Sequence, residues 1–99
     1  MTVEQVKSEI VKLIRRNSCQ FQKGSNLITV TEVTDVSLTI REINADNPAL
    51  ENYEFQGSAR LSIPDKNGTL TENKRIKGTA KVKDTKPLNV QIKNPISIY

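Results

Sequence analysis

The residues with the strongest chemical character lie between Lys74 and Lys83, where cations alternate with apolar or small residues. Alternation with a period of two is typical of a half-buried β-strand, with one side in the core and the other in water. The outer side of this strand is therefore positively charged. We expect two neighbouring strands to extend the charged surface, which gives six candidate binding residues: Arg60, Arg75, Lys77, Lys81, Lys83 and Lys93.

A basic surface of this kind can bind phosphate groups or the acidic surface of another protein. The charge is unevenly distributed, because residues 66–99 contain eight basic and two acidic residues, whereas residues 1–65 contain seven and nine. This asymmetry favours an acidic macromolecular partner, most plausibly a protein. The alternative is a solvated face that only increases solubility.

Aromatic residues do not accompany the predicted basic surface. Tyr53 and Phe55 fall on the inner side of their strand by alternation, so the sequence predicts no platform for stacking bases. Nucleic-acid binding without base specificity is therefore the second hypothesis. A third is a small-ligand carrier with a cavity between the helix and the sheet.

The composition argues against an enzyme. The chain has no histidine, which removes the most common general base and the most common metal ligand. Cys19 has no base to activate it, and Arg15 and Arg16 would lower its pKa only slightly. Three acidic residues lie close together in sequence, namely Asp46, Glu51 and Glu54, but their spacing matches neither a calcium loop nor a glycosidase pair. We expect no catalysis, no cofactor and no metal.

Length and cysteine content indicate a single cytoplasmic domain. Ninety-nine residues can bury one core, so residues 1–99 are predicted to form one unit. A single cysteine cannot form an intramolecular disulfide, which favours a reducing compartment. Charged residues such as Glu4 and Lys7 interrupt the N-terminal stretch, so neither a secretion signal nor a membrane span is expected.

The amphipathic N-terminal segment predicts a helix over about residues 2–16. Apolar residues recur there at steps of three and four and form one stripe: Val3, Val6, Ile10, Leu13 and Ile14. Thr2 is suited to cap the helix with Gln5 as its reciprocal partner, and Asn17 tolerates a left-handed stop. The stripe is expected to pack on a sheet.

Five antiparallel strands are predicted to follow in meander order: about residues 27–33, 36–43, 52–63, 70–83 and 88–98. A three-residue loop, Val33 to Asp35, is expected to join the first two. Residues 18–26 lack periodicity and are interpreted as a loop and turn. The exposed edge formed by residues 27–33 would allow a homodimer.

The register of the longest hairpin follows from a predicted two-residue turn at Asn67-Gly68. Tyr53 then faces Val82, and Glu54 faces Lys81 on the outer side. In the next pair of strands, Leu88 is expected to face Val82. Pro95 is expected to lie on an edge strand, where its missing amide hydrogen has no consequence.

Small residues are predicted to cluster at the middle of the inner face and to form a depression for the helix: Gly57, Ala59, Gly78 and Ala80. The resulting α+β fold, a helix on one face of a five-stranded meander, resembles the general architecture of cystatin-like domains. The inhibitory signature of that family is Gln-x-Val-x-Gly. Residues 20–24 read Gln-Phe-Gln-Lys-Gly instead, so the resemblance implies a fold and not inhibition.

Overall fold

The computed structural model describes residues 2–47 and 49–99, which form one helix and a seven-stranded sheet. The elements are α1 (Val3–Arg15), β1 (Phe21–Lys23), β2 (Asn26–Ile28), β3 (Glu32–Glu42), β4 (Tyr53–Asp65), β5 (Gly68–Lys83), β6 (Asn89–Ile92) and β7 (Ile96–Ile98). The α+β class is confirmed, with the helix against a mostly antiparallel open sheet. The predicted strand number is wrong, because β1 lies in a segment without a clear period and the predicted strand 88–98 is divided into β6 and β7.

Helix α1 begins and ends as the sequence predicts. The Thr2 hydroxyl accepts from the Gln5 amide at 3.2 Å, and the Thr2 amide donates to the Gln5 side chain at 2.8 Å, which completes a capping box. Asn17 follows the helix with φ of 56°, the left-handed stop expected there. The buried side of α1 consists of Val6, Ile10 and Ile14, each 0% exposed.

The predicted loop at Val33 to Asp35 is wrong, because those residues lie within the continuous strand β3. The register with β4 shifts between Thr34 and Ser37, and Asp35 has φ of 51°. These features are typical of a β-bulge, in which an extra residue bends the strand without ending it. Thr34 and Asp35 interrupt the alternation of apolar and polar residues. A turn and a bulge both produce such an interruption, so the sequence pattern cannot distinguish them.

Strand β1 was missed because three residues are too short to show a period. Phe21–Lys23 pairs with β2 in an antiparallel hairpin, and Gly24 in the turn has φ of 63°. On its other side β1 pairs with β7 in parallel. Residues 27–33 therefore do not form one strand, since Leu27 lies in β2 at one end of the sheet and Val33 lies in β3 at the other.

The β4–β5 hairpin differs from the predicted register by two residues. The turn is made by Lys66 and Asn67, Asp65 pairs with Gly68, and Tyr53 consequently faces Ala80 rather than Val82. Glu54 faces Thr79 rather than Lys81. An even shift leaves every side chain on its predicted side of the sheet, because the side-chain period of a strand is two.

The predicted strand 88–98 is divided into β6 and β7, which both pair with β5. Val90 faces Val82, so the predicted pairing of Leu88 with Val82 is also wrong by two residues. Pro95 lies between the two strands. Strand β7 is not an edge strand, since β1 covers the side that β5 leaves free.

The sheet coils sharply around α1. Its order is β2-β1-β7-β5-β4-β3, with β6 also on β5, and three residues connect Ile28 in one end strand with Glu32 in the other. Six strands in a flat sheet would separate the two ends by roughly 24 Å. Three connecting residues reach at most about 14 Å. The two ends of the sheet therefore approach each other, and the helix lies in the concave inner side, with its nearest backbone contacts to β3 and β6.

The predicted depression at the glycines is wrong, because neighbouring strands fill it. A Cβ atom added to Gly78 would lie 2.7 Å from Cζ of Phe55, and one added to Gly57 would lie 1.9 Å from the Ser37 carbonyl oxygen. The ring of Phe55 therefore covers Gly78, and the backbone of β3 covers Gly57. These contacts give no support to a ligand cavity beneath the helix.

Candidate functional site

The candidate site is the side of the sheet that faces away from α1, here called the outer face. Side chains alternate along β4 and β5, so buried residues such as Phe55 and Ile76 lie on the inner side and their chain neighbours on the outer face. All six sequence-predicted residues lie on the outer face. Arg60 is on β4, four are on β5, and Lys93 follows β6, where its amide donates to the Thr79 carbonyl at 2.9 Å.

The strand registers arrange the outer face in three rows across β3, β4 and β5 and the chain next to β5. The central row is Thr39, Gln56, Lys77 and Ser97. The row on one side is Arg41, Glu54, Thr79 and Lys93, and the row on the other is Ser37, Ser58, Arg75 and Tyr99. Neighbouring strands lie about 4.8 Å apart and rows about 6.7 Å apart, so the grid spans roughly 14 Å in each direction.

A trough of about 840 Å³ runs over the first two of these rows. Its polar lining contains both Lys77 and Lys93, with hydroxyl and amide groups between them: Thr39, Gln56, Thr79 and Ser97. Pro95 contributes to the wall where β6 gives way to β7. The structure therefore brings two of the six predicted cations into one concave surface, here called the outer trough.

Glu54 is the acidic residue in the lining of the outer trough, and Arg41 neutralises it. The Arg41 Nε donates to Glu54 Oε1, and this hydrogen bond and the adjacent charge raise the pKa of Arg41. Among residues 2–47 and 49–99, no carboxylate lies within ion-pair distance of Lys77 or Lys93. The trough consequently has an excess of positive charge.

Tyr99 lies on the outer face and was missed by the sequence reasoning. Its amide donates to the Arg75 carbonyl at 3.0 Å, which continues the β5–β7 pairing by one residue. Its ring lies 5.1 Å from the Lys77 Nζ, measured to the ring centroid, and the residue is 54% exposed. Extending the alternation of Ile96, Ser97 and Ile98 by one position would have placed Tyr99 on this side.

Of the other four predicted cations, Arg75 lies in the grid and three flank it. Arg60 faces Asn73 and Arg75 faces Ser58, so the two arginines are diagonal neighbours rather than directly opposed. Lys81 faces Gln91, and Lys83 lies at the end of β5, roughly 26 Å from Arg75 along the strand. Arg75, Lys77 and Lys93 are thus close together, whereas Lys83 lies well outside the trough.

Asn52 fixes the end of β5 that carries Lys81 and Lys83. Its buried side chain accepts from the Val82 amide at 2.8 Å and donates to the Val82 carbonyl at 3.1 Å. The amide side chain thereby satisfies two backbone groups that a further residue of β4 would otherwise pair. This contact keeps the basic end of β5 in the sheet after regular pairing with β4 stops.

Burial argues against a reactive thiol at Cys19. It is partly buried against the core, and desolvation raises its pKa from 9.0 to about 11, opposite to the small decrease expected from Arg15 and Arg16. At pH 8 we expect the thiolate fraction to be about a hundredfold below that of an unperturbed thiol. Its reaction with an aromatic disulfide reagent should be correspondingly slow and should accelerate up to pH 11. Reaction at the rate of glutathione at pH 8 would contradict this assignment.

No group of three or more His, Cys, Asp or Glu residues in positions 2–47 and 49–99 could hold a metal ion. No helix in the same residues is long and apolar enough to cross a membrane, since α1 has 13 residues.

Comparison with known proteins gives no functional information, because the chain matches no protein-family model, no curated protein and no solved structure. The expected resemblance to cystatin-like domains is therefore not confirmed. The parallel β1–β7 pair and the division of the last predicted strand depart from a simple meander.

Proposed function

We propose that this chain is a non-catalytic binding domain that engages an acidic macromolecule through the outer face. One observation carries the proposal: Lys77 and Lys93 line one concave trough, and Arg41 neutralises the carboxylate of Glu54 in the same lining. A ligand with several negative charges would find compensating cations there without first displacing an internal carboxylate.

The arrangement of charge around the trough supports the same proposal. Arg60, Arg75 and Lys81 lie on the same face, and none has an ion-pair partner in the described part of the chain. Like charges on adjacent strands repel one another, which costs stability unless a counter-charge binds. Their summed field would also speed the diffusional encounter with an acidic partner at low salt.

Rigid elements hold the binding side chains. The long hairpin of β4 and β5 provides the centre of the grid, and the fully packed inner residues Phe55 and Ile76 fix its opposite side. A surface supported in this way needs little ordering when a ligand binds, so less binding energy is lost to conformational entropy.

Neutralising the centre of the face tests the proposal. We expect the triple substitution of Arg75, Lys77 and Lys93 to Gln to weaken binding to a fluorescent polyanion at least about tenfold at about 50 mM salt. Polyglutamate and an oligonucleotide serve as the two polyanion probes, with fluorescence anisotropy as the measurement. The dependence of affinity on salt should also become less steep, because three charge contacts are lost.

A matched control separates this surface from net charge. Replacing Lys7, Arg15 and Lys66 with Gln removes the same charge from positions outside the outer face, and this variant should bind as the unmodified chain does. Equal weakening by both triple variants would show that net charge alone governs binding. Failure of the unmodified chain to bind either probe at low salt would overturn the proposed function.

A further inference from the structure

We infer that the acidic macromolecule is single-stranded nucleic acid and that Tyr99 is the residue on which a base stacks. This inference rests on the proposed function, because it assigns the partner of the same outer face. It revises the expectation of an acidic protein, which followed from the sequence when no aromatic residue could be placed on the basic side.

The trough differs from a typical protein interface in its excess of positive charge. Protein interfaces have an apolar core with aromatic or aliphatic anchors, whereas nucleic-acid interfaces are more polar and much more positively charged. The central row of the grid contains hydroxyl, amide and ammonium groups, and the large aliphatic residues of β4 and β5 are buried on the other side. Ile40, Phe55 and Pro95 also contribute to the lining, but the side chains of the central row offer hydrogen bonds and charge.

Tyr99 supplies an exposed aromatic ring beside the cations. Binding of a simple polyanion does not need such a ring, whereas nucleic-acid binding uses it for base stacking. Tyr99 is half exposed on the outer face. The Lys77 Nζ atom lies over its ring, 5.1 Å from the ring centroid. Aromatic rings beside cations form the stacking platforms of proteins that bind single strands without sequence preference. A base on the ring would place its phosphate close to the ammonium group of Lys77.

The spacing of the cations suits a chain that crosses the face from Tyr99 to the trough. Arg75 and Lys77 are two residues apart on β5, about 6.7 Å, and Lys93 lies in the row beyond Lys77. Tyr99 and Lys93 are two rows apart, roughly 13 Å. This distance accommodates a few nucleotides of an extended strand, with Gln56 and Ser97 between the cations as hydrogen-bonding groups.

A single strand fits this geometry better than a duplex. Bases within a duplex are stacked on their neighbours and paired, so their flat faces cannot reach an aromatic side chain on a sheet. The uncharged polar groups of the trough can bond to sugars, phosphates or base edges without selecting a sequence. The expected ligand is therefore an unpaired strand of either DNA or RNA.

The test uses the full chain and a fluorescent oligothymidylate of about twelve nucleotides, within the range of known single-strand site sizes. Tyr99→Ala should weaken binding about tenfold at about 50 mM salt, because one base loses its stacking partner. Tyr99→Phe retains the ring and should bind within about twofold of the unmodified chain. Leu70→Ala, at another exposed apolar residue distant from the trough, is the matched control and should not change the affinity.

The possible results test two things separately: whether the partner is a single strand, and whether Tyr99 contributes to binding it. Oligothymidylate binding that requires the Tyr99 ring, together with much weaker binding of a duplex of equal length, supports the inference. Binding of polyglutamate but not of the oligonucleotide would overturn the inference and leave the proposed function standing. Unchanged oligonucleotide affinity in Tyr99→Ala would overturn the stacking role, and duplex binding of equal strength would overturn the preference for single strands.

Discussion

Gly57→Ala is expected to lower the free energy of unfolding by about 3 kcal/mol or more, the upper end of the range for overpacking. The added Cβ would lie 1.9 Å from the Ser37 carbonyl oxygen and 2.9 Å from the Leu38 Cα atom. Both atoms belong to the backbone of β3, so no side-chain rotation can relieve the overlap. Strand β3 would have to move away from β4 beside its bulge.

Urea unfolding followed by circular dichroism measures this effect. Gln56→Ala is the matched control, because Gln56 is the exposed chain neighbour of Gly57 and its replacement should change stability by no more than about 0.5 kcal/mol. A Gly57→Ala variant as stable as this control would show that β3 is not held against β4 at that point. Displacement of β3 would also move Thr39 and Arg41, so the variant should bind polyanions less well where it remains folded.

Phe55→Ala is expected to lower the free energy of unfolding by about 3 to 5 kcal/mol, the usual cost of removing a buried aromatic side chain. Phe55 is 1% exposed, and its ring provides the three nearest atoms to a Cβ built on Gly78. Gly78→Ala should cost about 1 to 3 kcal/mol by itself, because the ring that it overlaps is packed in the core.

Combining the two substitutions tests whether the ring is the reason for glycine at position 78. Without the ring, alanine at position 78 should be neutral or slightly stabilising, since alanine is favoured over glycine within a strand by roughly 0.5 to 1 kcal/mol. The double variant should therefore be less destabilised than the two single effects added together, by about 1 kcal/mol or more. Additive effects would assign the requirement for glycine to another contact.

Both substitutions also bear on the candidate site. Gly78 lies between Lys77 and Thr79, and all three residues line the outer trough. The ring of Phe55 supports this part of β5 from the inner side. Loss of that support should reduce the affinity for polyanions in a folded variant, even though Phe55 itself lies on the inner side.

The sequence determined the side on which each residue of β4 and β5 lies. Alternation placed Arg75, Lys77 and Lys81 on the outer face, and an error of two residues in the register did not alter this, because the period of a strand is two. The helix could also be predicted with its cap and stop, since capping depends on residues within one turn. These features are local, and local sequence specifies them.

The number of strands and their order could not be obtained in the same way. Strand β1 has three residues, and its partners in β7 are more than seventy positions away in the chain. The bulge at Asp35 and a turn would produce the same interruption of the pattern. Such elements form only because another part of the chain is present to pair with them.

Only part of the candidate site could be predicted, because the rest depends on pairing between distant strands. Its cations follow from the alternation within single strands, whereas the neutralisation of Glu54 by Arg41 depends on the register between β3 and β4. The position of Tyr99 beside Lys77 depends on the pairing of β7 with β5. The sequence alone thus determined the charge of the outer face, and the tertiary structure decided which charges are free and where the exposed ring lies, because both depend on contacts between strands distant in the chain.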